Sequence, residues 1–197
     1  MRDRAGPFAG AGVEIREGYR NNIHHVVRAI YGLELPVIAA VNGPAIGLGL
    51  DLACMADIRI ASDKARFGST FLRIGLIPGD GGAWLLPRVV GMSRAAQLLF
   101  TADLLDPETA LEWGLISEIH PHEGLMDAAL AMAAKVAVQP PHALRLGKSL
   151  LRHGQSAGFD TIMEWSAAAQ AISHATDDHM EGVQAVLDKR TPTFLGR

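Results

Sequence analysis

A stretch near residue 40 joins a buried-strand pattern, a glycine-rich turn and a helix, and this order constrains the fold most. Residues 37–41 are apolar at every position, which predicts a strand covered on both faces. Gly43, Gly47 and Gly49 then allow a sharp turn and a close approach of the backbone to a ligand. The first N–H groups of the following helix have no partner within it, so they can stabilise a negative charge that develops on a bound oxygen atom.

Strand and helix patterns alternate over the first 120 residues. Helices are predicted over 13–31, 84–90, 93–100 and 106–114, and strands over 37–41, 58–61 and 115–119. This order predicts the α/β class with a mainly parallel sheet. From residue 125 the periodicity is helical, over about 125–138, 141–152, 158–175 and 177–189. We therefore divide the chain into an α/β core at 1–120 and a helical region at 121–197.

Charge and cysteine content narrow the class of partner. The chain has 18 Lys and Arg against 21 Asp and Glu, and a net charge of −3 offers no footprint for nucleic acid or an anionic membrane. Its single cysteine, Cys54, cannot form an internal disulfide, which suits a reducing compartment. The N-terminal residues lack the apolar centre of a signal peptide, and no segment reaches membrane-spanning length. We expect a cytoplasmic protein.

Two aspartates are candidates for proton transfer. Asp51 falls in the first turn of the helix after the glycine-rich turn, where the helix dipole favours a carboxylate whatever the function. If it faces a pocket, burial would raise its pKa and suit it to general acid–base catalysis. Asp80 lies in the loop Pro78-Gly-Asp-Gly-Gly82, where it either caps the next helix or reaches a ligand. Both alternatives remain open for each residue.

Other common sites lack their defining residues. The pairs His24-His25 and His120-Pro-His122 have no carboxylate or cysteine at ligand spacing, so we expect no metal site. The glycines at 43–49 lack the third glycine of a dinucleotide fingerprint and the Gly-Lys-Ser/Thr of a P-loop. A Gly-x-Ser-x-Gly elbow is also missing from the sequence, which argues against an ordinary α/β-hydrolase.

Seven segments of the chain resemble the enoyl-CoA hydratase/isomerase family, also called the crotonase family. They occur in the family's order and are specific when taken together. The segments are Leu35-Pro-Val-Ile-Ala-Ala-Val-Asn-Gly43, Gly47-Leu-Gly-Leu-Asp-Leu-Ala53, Ala56-Asp-Ile-Arg-Ile-Ala61, Ala65-Arg-Phe-Gly68, Gly75-Leu-Ile-Pro-Gly-Asp-Gly-Gly82, Ala110-Leu-Glu-Trp-Gly-Leu-Ile116 and Asp178-His-Met-Glu-Gly182 with Lys189-Arg190.

The resemblance implies a crotonase-like spiral of ββα repeats followed by a helical trimerisation region. It implies an acyl-CoA thioester as substrate, no metal or redox cofactor, and a homotrimer or dimer of trimers. The family holds the thioester oxygen with two backbone N–H groups, of which one matches Leu48. The matching substrate-binding positions are Gly47, Gly49, Phe71, Gly79 and Trp84.

Two departures from the family pattern affect the expected function. The second N–H group comes from a Phe-Ser-Ala-Gly-x-Asp-like motif, whereas Phe8-Ala-Gly-Ala-Gly12 is out of step by one residue and lacks the acid. We therefore expect that the N-terminal part of the fold is missing.

The second departure concerns the acid–base residues. Family hydratases use two glutamates, and their positions hold Asp51 and Phe71 here. Some isomerases of the family instead use an aspartate one position before Asp80.

The sequence leaves three functions open. The first is hydration or double-bond isomerisation of an enoyl-CoA through a stabilised enolate, with Leu48, Asp51 and Asp80 as catalytic groups. The second is another thioester reaction, such as hydrolysis or decarboxylation. The third is a non-catalytic binding or assembly role, because Phe71 cannot transfer a proton.

Basic residues near the C-terminus either contact CoA phosphates or form solvated helix faces. They are Lys148, Arg152, Lys189, Arg190 and Arg197.

Overall fold

A computed structural model describes residues 10–197, which form two compact units. The first unit comprises residues 10–33 and 37–129, and the second comprises residues 34–36 and 130–197. Phe8 and Ala9 of the N-terminal motif lie outside the described residues. The predicted boundary at residue 120, between an α/β core and a helical region, stays a prediction. The first compact unit extends beyond it, to residue 129.

The first unit begins with one long helical segment and continues as alternating strands and helices. The segment consists of α1 (Gly12–Gly18), a single π-helical turn (Tyr19–Ile23) and α2 (His24–Tyr31). The strands are β1 (Ile38–Val41), β2 (Pro44–Ile46), β3 (Ile58–Ser62), β4 (Arg66–Gly68) and β5 (Glu118–His120). The helices are α3 (Leu48–Met55), α4 (Gly82–Val90), α5 (Met92–Thr101) and α6 (Pro107–Glu112), with 3₁₀ helices at Thr70–Ile74 and His122–Gly124. The next helix, α7 (Leu125–Ala137), begins in this unit and ends in the second.

All strand pairs in these two sheets are parallel, as the sequence predicts. One sheet has the order β1-β3-β5, with Ile38 opposite Ile58 and Ile60 opposite Glu118. The other pairs β2 with β4, so that Ala45 lies opposite Phe67. Parallel strands need a crossover between them, and α3 supplies it between β1 and β3. The α/β prediction is confirmed.

The core of the first unit forms where α4 packs against α3 and α5. Its largest fully buried side chains include Leu50, Met55, Phe67 and Leu98. Cys54 lies in the same cluster on α3, and burial raises the pKa of its thiol to about 12. Because a neutral thiol in an apolar core is unreactive, Cys54 has a packing role.

The second unit is helical. After α7 it contains α8 (Pro141–Gly154), α9 (Phe159–His174) and α10 (Asp177–Leu187), which confirms the four helices predicted from the sequence. The buried Asp178 carboxylate accepts hydrogen bonds of 2.7 and 2.9 Å from the amides of Leu195 and Gly196, and so fixes the C-terminal segment on α10. Among residues 10–197, no helix combines the length and the apolar character that crossing a bilayer requires.

Local structure departs from the sequence prediction at three places. The predicted strand at 115–119 begins only at Glu118, because the amides of Leu115 and Ile116 donate to the Ala110 carbonyl at the end of α6. Gly91, with a φ of +82°, is the N-cap of α5, so the predicted cap at Ser93 is wrong. The short strand β2 falls where the sequence predicts only a turn.

Candidate active site

The start of α3 is built around Gly47. This residue has φ +58° and ψ −122°, a conformation that glycine adopts and L side chains avoid. Its amide donates 2.8 Å to the Gly68 carbonyl, which fixes the turn to the end of β4. Leu48 is the first residue of α3, and its amide is one of those with no intrahelical acceptor. The ring of Phe71 lies beside Gly47, where a Cβ atom would sit 3.5 Å from the ring.

Asp51 lies one helical turn after Leu48 and is only 1% exposed. Its Oδ2 accepts a hydrogen bond of 3.1 Å from the amide of Gly82, the first residue of α4. The close approach requires glycine at 82, because a Cβ atom there would overlap the carboxylate. The predicted position of Asp51 in the first turn is confirmed, and its side chain reaches the N-terminus of a second helix.

The environment of Asp51 favours its protonated form. Burial, followed by the negative charge of Asp80, raises the pKa of Asp51 to about 7, although the Gly82 hydrogen bond acts in the opposite direction. A carboxyl group with this pKa is found in both protonation states near neutral pH. Such a group can accept a proton and return it.

Asp80 lies close enough to Asp51 for their charges to interact, and it is 7% exposed. Burial raises its pKa, while His24 acts to lower it. The alternative in which Asp80 caps α4 is wrong, because Gly81 is the N-cap residue and adopts φ +101°. The structure thus brings together two candidate carboxylates that are 29 residues apart in the sequence.

Two residues of this site are not identified by the sequence analysis as functional. The ring of Tyr19 lies against Gly79, and His24 Nε2 is 2.9 Å from the Gly79 carbonyl oxygen. The His24-His25 pair suggests only a metal ligand when the sequence is considered alone. Neither its spacing nor that of Tyr19 indicates a contact with a loop more than fifty residues away.

The remaining predicted substrate contacts are less distinctive. A Cβ atom on Gly49 would meet no atom within 4 Å, so space exists beside the first turn of α3. Trp84 is 38% exposed. The ring centres of Tyr31 and Trp84 are 5.6 Å apart and the rings are nearly perpendicular, while the Arg88 guanidinium lies 4.0 Å from the centre of the Trp84 ring. The substrate-binding role of these residues stays a prediction.

The candidate phosphate-binding residues lie in the second unit, where several have partners within the protein. Arg190 forms an ion pair with Glu181 at 2.6 Å, and Arg197 lies 3.7 Å from Asp177. Lys148 donates to the Leu35 carbonyl.

The second unit also has an apolar groove of about 430 Å³ on α10. Among residues 10–197, no three His, Cys, Asp or Glu side chains are grouped to hold a metal ion.

A buried pair of carboxylates beside the first turn of a helix, on a scaffold of parallel strands, is a candidate site for general acid–base catalysis in an α/β protein. The model of the enoyl-CoA hydratase/isomerase family matches residues 8–197. The chain therefore belongs to the enoyl-CoA hydratase/isomerase family, whose members are lyases or isomerases.

Individual relatives agree with this assignment. The chain is 38% identical over 195 residues to the 1,2-epoxyphenylacetyl-CoA isomerase of Escherichia coli (strain K12), covering 99% of this chain and 73% of the relative. It is 38% identical over 172 residues to the crotonyl-CoA hydratase of Syntrophomonas wolfei, covering 87% of this chain and 66% of that protein. The crystal structure of an enoyl-CoA hydratase from Bacillus anthracis superposes with a TM-score of 0.92 at 34% identity, over 100% of this chain and 75% of the other. The crotonase fold is confirmed, and the chain spans about two thirds to three quarters of these relatives.

Proposed function

We propose that this chain binds an acyl-CoA thioester and catalyses its hydration or double-bond isomerisation through an enolate. The observation that carries the proposal is the pair of buried aspartates, Asp51 and Asp80, whose charges interact beside the N-terminus of α3. The names of the relatives support an enzyme of this kind over the hydrolytic, decarboxylating and non-catalytic alternatives.

The thioester oxygen is the group that accepts the Leu48 amide hydrogen. An amide held rigidly at this position stabilises the negative charge as the enolate forms, which is worth about 3–4 kcal/mol of the barrier. Gly47 sets the direction of this amide, because its turn is bonded to Gly68. The donor is a main-chain group, so the leucine side chain does not alter the chemistry.

The two aspartates move the proton. Two neighbouring carboxylates do not ionise independently, since the second negative charge is opposed by the first. With Asp51 near pKa 7 and the pKa of Asp80 also raised, the pair retains a proton closer to neutral pH than free carboxyl groups do. One member then acts as the base for a proton on the acyl chain, and the same proton is returned at another carbon.

Phe71 favours isomerisation over hydration. Isomerisation needs a base that removes a proton and returns it, whereas hydration also needs a group that activates water. Family hydratases use two glutamates to activate water and to protonate the α-carbon, and the second of these positions holds Phe71, beside Gly47. An apolar ring at this position cannot deprotonate water. Hydration remains the second candidate, because most of the named relatives are hydratases.

The decisive experiment compares crotonyl-CoA with a 3-enoyl-CoA and follows the products by mass spectrometry. A shifted double bond supports isomerisation, and a water adduct supports hydration. We expect Asp80→Asn and Asp51→Asn each to lower kcat by about 10²- to 10⁴-fold. The exposed Asp103→Asn serves as the matched control and keeps wild-type turnover. Wild-type turnover in Asp80→Asn would remove Asp80 from the mechanism.

We also propose a reaction without a resident metal or redox cofactor, because the carboxylates and the amide account for every proton and charge in the isomerisation. Dialysis against a chelator should leave turnover unchanged. Assembly as a homotrimer or dimer of trimers and a cytoplasmic location are further proposals. Exposed apolar side chains in the second unit, such as Phe159 and Val186, support self-association, and sedimentation velocity tests it.

A further inference from the structure

The long helical segment of the first unit lies along the loop that carries Asp80. We call residues 19–31 the N-terminal strap. Its contacts with the loop run in order along both segments. Tyr19 lies against Gly79, Val27 Cγ1 would lie 3.6 Å from a Cβ atom on Gly81, and the rings of Tyr31 and Trp84 meet nearly at right angles. The strap therefore follows the catalytic loop from the residue before Asp80 to the first turn of α4.

The π-helical turn determines which strap residues reach the loop. In a regular α-helix, residues five apart point about 140° away from each other, because each residue advances by about 100°. The turn at Tyr19–Ile23 instead has the amide of His24 donating to the Tyr19 carbonyl five residues before it. Residues 19 and 24 then lie on one face of the helix, with ring centres 6.1 Å apart. Single π turns inside α-helices are often found at functional sites.

Each of the two residues makes a different contact with the loop. The ring of Tyr19 packs against the Cα atom of Gly79, where a Cβ atom would lie 3.1 Å from the ring. His24 Nε2 bonds to the carbonyl oxygen of the same residue at 2.9 Å, and donates if the proton is on this nitrogen. The peptide that joins Gly79 to Asp80 is thus held from two directions.

Both residues also interact electrostatically with Asp80. Burial and then the Asp80 charge raise the pKa of the Tyr19 phenol, and His24 opposes the upward shift in the pKa of Asp80. Among residues 10–197, the titratable groups that interact electrostatically with Asp80 include Tyr19 and His24 from the strap and Asp51 from α3.

We propose that Tyr19 and His24 are positioning residues that clamp the Gly79 peptide and hold the Asp80 carboxyl beside Asp51. The inference rests on the proposed function, in which Asp80 moves the proton. A clamp is needed because Asp80 lies between Gly79 and Gly81, which restrict the backbone little. Without it, the carboxyl group loses its fixed distance to the acyl chain, and a displacement of about 1 Å is enough to lower a rate strongly.

The first test measures Asp80 without any substrate. Protein labelled with ¹³C at the aspartate side-chain carboxyl is titrated by NMR, and the Asp80 signal is assigned with Asp80→Asn. We expect His24→Leu to shift the titration midpoint of Asp80 upward, because the opposing imidazole is lost. The exposed neighbour His25 supplies the matched control, and His25→Leu should leave the midpoint unchanged. An unchanged Asp80 midpoint in His24→Leu would overturn the clamp.

The second test separates positioning from a general effect on folding. We expect kcat to fall about tenfold in His24→Leu with KM nearly constant, the change expected for the loss of one hydrogen bond of about 1.4 kcal/mol. His24→Gln, which keeps a donor, should restore most of kcat. Tyr19→Phe keeps the ring contact and should be milder than Tyr19→Ala. Equal losses in His24→Gln and His24→Leu would contradict the hydrogen-bond role, even if both variants fold normally.

Failure of this inference is distinguishable from failure of the proposed function. If the wild-type protein turns over no acyl-CoA, the proposed function fails, while the NMR titration still decides whether His24 acts on Asp80. If the wild type is active and the titration of Asp80 is the same in His24→Leu, only the clamp is wrong.

Discussion

The carboxylate of Asp51 lies against the backbone of Gly82, whose amide donates to Oδ2 over 3.1 Å. The two residues belong to the first turns of different helices, α3 and α4. A single hydrogen atom in place of a methyl group at position 82 therefore decides whether a buried acid fits between the helices.

Gly82→Ala should displace Asp51, because the new Cβ atom overlaps its carboxylate. We expect the free energy of unfolding to fall by about 1–3 kcal/mol, the usual cost of overpacking, and turnover to fall with it. Denaturant unfolding and steady-state kinetics measure the two effects. Gly147→Ala adds the same methyl group to helix α8 with no atom within 4 Å, and should raise stability by about 0.5–1 kcal/mol. A Gly82→Ala protein as stable and active as wild type would rule out the tight fit.

Asp51→Asn should change how stability depends on pH. The unfolded chain releases this proton near pH 4, whereas the folded protein keeps it until about pH 7. Between these values the folded state binds more protons, so the free energy of unfolding falls as pH rises and levels off above pH 7. The variant should lack this slope and exceed wild type above pH 7 by an amount on the order of a few kcal/mol. Parallel slopes in chemical denaturation from pH 5 to pH 8 would contradict the raised pKa.

Leu48→Pro removes the proposed amide donor and retains the helix. Proline fits the first position of a helix, and Gly47 before it carries no side chain to clash. We expect kcat to fall by about 10²- to 10³-fold, as when one oxyanion donor is lost. Leu48→Ala keeps the amide and should stay close to wild type. The proposal for Leu48 would not survive equal activity of the two variants, provided that circular dichroism shows both to be folded.

Phe71→Glu should shift the reaction toward water addition. A glutamate beside Gly47 supplies the proton-transfer group that family hydratases have at this position. We expect hydration of crotonyl-CoA to rise at least tenfold, within the range of one added general base. Phe71→Gln has the same shape without an ionisable group and should show no gain. Equal hydration by the Glu and Gln variants would mean that position 71 does not limit the choice of reaction.

Local patterns were sufficient to predict the part of the site on α3. The apolar run, the glycines and Asp51 are consecutive in the sequence, so their order alone places a carboxylate near a helix N-terminus. The sequence also predicts its partner Asp80 as a candidate, either as a proton-transfer group or as the N-cap of the next helix. Only the structure excludes the N-cap role, because Asp80 and Gly81 are adjacent and both residue types suit a helix start.

The strap contacts could not be predicted in the same way. Helical periodicity over residues 13–31 is correct on average, but one π turn shifts the phase and changes which residues share a face. The end of α6 is a similar case, since the Ala110 carbonyl captures two amides that a strand would otherwise use. In both places, one or two backbone hydrogen bonds outweigh the apolar pattern.

The burial of Cys54 has a consequence for the chemical safety of such an enzyme. Enoyl thioesters are Michael acceptors, and a thiolate adds readily to their double bond. This chain has one sulfhydryl, and the core below α3 keeps it both neutral and inaccessible. Under the proposed function, the enzyme holds conjugated thioesters close to its own helices, and the burial of Cys54 protects it from alkylation by them.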